Sequence, residues 1–156
     1  MIGIYSQKWD FRFLDMAKLV ASWSKDPSTK TGAVIVAPDR RVLSVGFNGF
    51  PRGVLDHESR YADRKQKYKI IVHCERNAML FCRESLQGCT LYTYPFLSCS
   101  VCAAMMIQAG IVRHVAPRSK DERWGEQVQD TLQICAEAGI ALDLVDYPVP
   151  EPTVRT

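Results

Sequence analysis

The chain has 156 residues, 47% of them apolar and 24% charged, with a formal net charge of +3 at neutral pH. That length suits a single domain over residues 1–156 with a core of its own, and the composition excludes a disordered or low-complexity chain. A charge of +3 is too mild to announce a nucleic-acid partner; a small anionic ligand suits it, and so does no anion at all. No apolar run nears the roughly 18 residues of a membrane span.

In chain order, Asp10 is a candidate cap for a helix running to residue 24, with Phe13, Leu14, Ala17, Val20 and Ala21 on one face. Lys25, Asp26, Pro27 and Ser28 break it. Residues 31–37 and 41–47 read as strands of an antiparallel hairpin turned by Pro38 and Asp39. Residues 48–53 hold two glycines and a proline and read as a loop. The charged stretch 57–69 predicts a short exposed helix or an ordered loop. Residues 73–84 read as a helix, 89–94 as a strand and 95–98 as a loop. Residues 99–109 read as a helix stopped by Gly110. Strand 111–116, helix 122–138 and strand 140–145 complete the pattern, with an irregular Pro-rich tail from Pro148. The last three strands are joined by helices, so right-handed crossovers make them parallel neighbours. The expected fold is a three-layer α/β/α sandwich around a mixed five-stranded sheet.

Six cysteines lie at 74, 82, 89, 99, 102 and 135. No secretory signal is read ahead of Trp9, so reduced thiols and a cytoplasmic protein are expected. Cys74, Cys82, Cys89 and Cys135 read as buried small apolar residues.

His73 is followed two residues later by Glu75, and Cys99 by Cys102 at CxxC spacing. Both pairs sit at expected helix starts, where partial positive charge and free N–H groups favour thiolate. A strand separates the two helices, so both starts can meet at one edge of the sheet. One imidazole and two thiolates leave a tetrahedral zinc with an open fourth position, and zinc brings a bound water's pKa to about 7. Glu75 can stand beside that water as a proton carrier without binding metal. A structural zinc and a redox dithiol are the competing readings; a structural zinc needs a fourth protein ligand, and no fixed spacing supplies one.

His73-x-Glu75 and Cys99-x-x-Cys102 fit the H-x-E…P-C-x-x-C pattern of the zinc deaminases. The chain resembles the cytidine and deoxycytidylate deaminase superfamily from about residue 9 to 145, most of all its deoxycytidylate (dCMP) branch. Residues 24–36, 46–53, Lys67-Tyr68, 73–78 and 107–111 carry the likeness beyond the metal motif. One position departs: the proline expected before the first cysteine is Ser98, whose hydroxyl could cap the following helix instead.

The resemblance implies a cytidine deaminase-like fold and one catalytic zinc on His73, Cys99 and Cys102. It implies hydrolysis at C4 of the cytosine of dCMP, with Glu75 moving the proton and dUMP formed for thymidylate synthesis. A C5-modified dCMP, another cytosine or purine substrate, and a non-enzymatic binding or DNA-uptake role are the alternatives. A homo-oligomer, a hexamer in many relatives, and regulation by dCTP and dTTP at the 48–53 loop are implied as well. Asn48 is the first choice for contact with the substrate's sugar or base, and Phe96 could pack on the pyrimidine. Lys25, Lys30, Arg52, Arg64, Lys65 and Lys67 are candidate phosphate holders. His57 and His114 read as an exposed and a strand histidine, and Trp124 as a packing anchor.

Overall fold

The structure is a computed structural model and describes residues 6–119 and 125–150. Helix α1 spans Gln7–Ala21. The hairpin follows as β1, Gly32–Val36, and β2, Val42–Phe47. Two short helices, α2 (Glu58–Ala62) and α3 (Arg64–Ile70), precede α4 at Cys74–Phe81. Then come β3 (Thr90–Tyr94), α5 (Ser100–Gln108), β4 (Arg113–Pro117), α6 (Gly125–Glu137) and β5 (Ala141–Val145).

The sheet order is β2-β1-β3-β4-β5. Strand β1 is antiparallel to both β2 and β3, while β3, β4 and β5 are parallel. The sheet is therefore mixed, as the helical crossovers required. Strands β1, β3 and β4 are buried along their whole length. Alternation splits their side chains between two cores. Val34, Val36, Tyr92 and Val115 meet Phe13, Leu14 and Ala17 of α1. Ala33, Ile35 and Leu91 meet Cys74 and Ala78 of α4, Ala103 and Met106 of α5, and Cys135 of α6. One helix covers one face and three cover the other.

Helix α4 lies close on β2 because residue 46 is glycine: a Cβ there would run into the backbone of Cys74 and Ala78. Gly110, at φ +91°, closes α5 in the left-handed region that only glycine enters at little cost.

Several expectations are corrected. Asp10 does not cap α1; Ser6 holds that position, and Asp10 lies buried inside the first turn. It is drawn inward by Arg113, whose Nη1 and Nη2 donate to Oδ1 and Oδ2 at 2.8 and 2.9 Å. The 57–69 stretch is not wholly exposed. Tyr61 and Lys67 are buried, Tyr61 stacked on Phe50 with ring centroids 4.3 Å apart. The helix expected to reach residue 84 ends at Phe81. Cys82 is only half-buried, because it follows that end and faces the loop. Trp124, the start of the helix expected from residue 122 and the tail beyond residue 150 lie outside the described residues. No helix among the described residues is long and apolar enough to cross a membrane.

Candidate active site

Two chain reversals bring the site together. His73 holds the N-cap position of α4, and Cys99 that of α5, each in extended backbone. Cys99 Sγ accepts from the Cys102 N–H at 3.5 Å, which aims both sulfurs out of the same helix start. The segment before His73 is pinned by a two-way bridge: the Gly49 N–H donates to Val72 O at 3.1 Å, and the Val72 N–H to Gly49 O at 2.8 Å. Asn77 Nδ2 adds a bond to Phe47 O at 2.7 Å. The hairpin exit and the start of α4 are thus one unit.

The result is a close group. His73 Nδ1 lies 3.4 Å from Cys102 Sγ and 3.6 Å from Cys99 Sγ. Among the described residues, these three are the one set of His, Cys, Asp and Glu groups able to hold a metal ion. Zinc bonds of about 2.0–2.1 Å to nitrogen and 2.3 Å to sulfur place tetrahedral N and S atoms roughly 3.6 Å apart. The donor set and its spacing fit zinc. All six cysteines are free thiols, so Cys99 and Cys102 are not a disulfide here.

The protons are arranged to match. A hydrogen bond from the Cys102 thiol pulls Cys99 down to about 3; the His73 ring adds to this, while burial opposes it. Cys102 moves up, because its proton is held in that bond and the sulfur is buried. The His73 ring moves up through its bond with Cys99. Metal binding displaces whatever protons these three groups carry.

Glu75 is buried beside this group, and the Cys74 thiol donates to its Oε2 at 3.3 Å. His73, Glu75, Cys99 and Phe96 line one cleft. The Arg76 guanidinium interacts with the Cys102 and Cys99 sulfurs.

Asn48 also lines the cleft, but its amide is already engaged. Nδ2 donates to Thr29 O at 2.9 Å and to Asp26 Oδ2 at 3.3 Å, and Oδ1 accepts from the Thr31 N–H at 2.8 Å. Its first duty is to shape the 26–31 loop. What it keeps for a ligand is one lone pair on Oδ1.

The candidate phosphate holders separate clearly. Lys67 is buried, with Nζ 2.9 and 2.7 Å from Asp26 Oδ1 and Oδ2. Lys25 pairs with Asp56 at 2.6 Å. Arg52 lies over the Phe81 ring. Of the six, Arg64 and Lys67 line the cleft, and Lys67 is committed to Asp26. Asp26 also accepts from the Ser28 N–H, so the pair anchors the cleft wall. Lys67→Met is expected to cost about 3–5 kcal/mol, because it leaves Asp26 charged and buried. Urea unfolding measures this; a loss under about 1 kcal/mol would show that the pair does not hold the wall.

Ser98 does not cap α5. Its Oγ is buried and finds no partner among the described residues. Nothing local in the chain signals what holds its backbone. The Ser98 N–H donates to His114 Nε2 at 3.3 Å, and the Ser98 carbonyl accepts from Thr131 Oγ1 at 2.9 Å. His114 is indeed a strand histidine, fully buried in β4, and burial pushes its pKa down. His57 is exposed and caps α2, accepting from the Ser59 N–H.

Comparison with known proteins agrees with this geometry. The model of the cytidine and deoxycytidylate deaminase zinc-binding region matches residues 7–117. A protein of Aliivibrio fischeri named an uncharacterized deaminase in the luxG 3′ region is 44% identical over 136 residues, covering 85% of this chain and 90% of that one. The deoxycytidylate deaminase of Homo sapiens is 36% identical over 110 residues, covering 67% of this chain and 61% of its own. The crystal structure of a dCMP deaminase from the cyanophage S-TIM5 in apo form superposes with a TM-score of 0.71 at 20% identity, covering 90% of this chain and all of that one, and shows the shared fold. A match that takes in every element carrying His73, Glu75, Cys99 and Cys102 leaves one assignment: the chain belongs to the cytidine and deoxycytidylate deaminase family.

Proposed function

We propose that the protein catalyses the hydrolytic deamination of dCMP to dUMP and ammonia, at a zinc held by His73, Cys99 and Cys102. The observation that carries this is the convergence of those three donors, with His73, Cys99 and a buried Glu75 on the wall of one cleft. Zinc bound there supplies Lewis acidity that brings a water's pKa to about 7. Glu75 takes a proton from the attacking water and delivers it to N3 of the cytosine, then carries the second to the departing amino group. The Cys74 thiol holds Glu75 Oε2 and leaves Oε1 for these transfers. Phe96, half-buried at the cleft wall, offers an apolar face to the ring. Asn48 offers its remaining lone pair to a sugar hydroxyl, and Arg64 a cation for the phosphate. The choice of dCMP is supported by relatives that carry the name deoxycytidylate deaminase.

The same reading includes self-association. Leu80 and Phe81 of α4 and Val101 and Met105 of α5 are exposed on two helices in contact, an apolar surface suited to a second copy.

The test is ammonia release by zinc-loaded protein from dCMP, 5-methyl-dCMP, CMP, dCTP, deoxycytidine, cytosine, guanine and adenosine. dCMP is expected to turn over fastest. Protein carrying one zinc but inert to the whole panel would overturn the enzymatic reading. Turnover of dCMP repeated with added dCTP and dTTP reads regulation directly.

A further inference from the structure

We propose that His114 and Thr131 are positioning residues that clamp the Ser98 backbone and so hold Cys99 ready for the metal, in place of the proline of the family pattern. The proposal rests on the reading of His73, Cys99 and Cys102 as a metal site.

The chemistry follows from the partners. Leu91 O can only accept, so His114 Nδ1, 3.2 Å away, carries the ring proton. The Ser98 N–H can only donate, so Nε2 is the bare nitrogen that receives it. Both ring nitrogens are therefore spent on backbone groups, one on β3 and one on the residue before Cys99. Thr131, fully buried on α6, holds the carbonyl on the other side of the same residue. Two elements, β4 and α6, converge on the backbone of one residue, and that residue leads straight into a metal donor.

A proline at this place would preset the backbone through its ring and would have no N–H to give. A serine leaves the backbone free and adds an N–H that must be satisfied once buried. His114 supplies the acceptor that only a residue other than proline requires. The Ser98 hydroxyl takes no part, since its Oγ has no partner among the described residues. The N–H at position 98 is the working group, and the serine side chain is incidental.

The experiment measures zinc dissociation from the loaded protein into a chelator, alongside the Tm of the zinc-free form and the kcat and KM of the loaded enzyme. Ser98→Ala keeps the N–H and is expected to release zinc at the wild-type rate. His114→Leu strands the N–H, and Ser98→Pro strands the histidine nitrogen; each is expected to release zinc about tenfold faster, in the range seen when groups behind a metal ligand are removed. The double variant Ser98→Pro with His114→Leu removes donor and acceptor together, and its rate is expected to return toward wild type. Rates that multiply in the double variant, or single variants at the wild-type rate, overturn the clamp. If His114→Leu does not fold, Thr131→Val decides beside Ser98→Ala. Faster release from the first and a wild-type rate from the second support the clamp, and any other pattern overturns it. A purely structural defect would lower the Tm of the zinc-free form without changing release from folded protein. Wild-type protein that retains no zinc would overturn the metal reading itself; zinc held equally by wild type and variants overturns the clamp alone.

Discussion

Glu75→Gln is expected to keep zinc at the wild-type stoichiometry and to lower kcat by about 10²–10⁴-fold, the range of a positioned proton carrier. The substitution keeps the shape of the side chain. Its carbonyl oxygen can still accept from the Cys74 thiol that now meets Glu75 Oε2 at 3.3 Å. Packing and the start of α4 should therefore survive. What is lost is the ability to take a proton from water and return it to the base. Because Glu75 is buried, bulk solvent reaches this position poorly and is a weak substitute for the carboxylate. Zinc per chain and single-turnover rate are the two measurements. A kcat within tenfold of wild type would remove Glu75 from the mechanism. Loss of zinc together with activity would instead make it part of the metal site.

Arg113→Met should be the most destabilising single change away from the cleft, at about 3–5 kcal/mol. Arg113 is almost fully buried, yet holds Asp10 with two bonds and Asp143 Oδ2 through Nε at 2.7 Å. Tyr92 closes the group by donating to Asp10 Oδ1 at 2.8 Å. Burial, then the bond to Asp10, pushes the Tyr92 phenol up, so it remains a donor. Removing the guanidinium strands the buried Asp10 carboxylate with one neutral partner. Asp10→Leu combined with Arg113→Met should recover most of the loss, since an apolar pair of similar bulk carries no stranded charge. Urea unfolding of the four proteins gives the coupling directly. If the double variant is as unstable as the sum of the two singles, the stranded-charge explanation fails. The network ties α1, β3, β4 and β5 together across one face of the sheet.

The two kinds of site residue were legible to different degrees. His73, Glu75, Cys99 and Cys102 announce themselves because ligand chemistry restricts residue type and helix geometry restricts spacing. Asn48 was legible as a cleft residue, though not as the organiser of the 26–31 loop. Lys67 and Asp26 were opaque. A lysine in a charged run reads as solvated, and nothing local reveals a carboxylate 41 positions away. The same holds for Asp10, which looks like a helix cap until Arg113, 103 residues on, is brought over it.

By itself, the sequence determined the types of the longer helices and of the five strands, the parallel order of the last three strands and the donor set. These depend on local periodicity, turn residues and crossover handedness, which act over a few residues or one βα unit. Only the tertiary structure decided that β1 pairs with β3, that Lys67 and Asp10 are buried ions, and that His114 and Thr131 hold the residue before Cys99. Those outcomes depend on which distant groups a buried charge or N–H finds. Burial makes that pairing obligatory, but chain order does not say with whom.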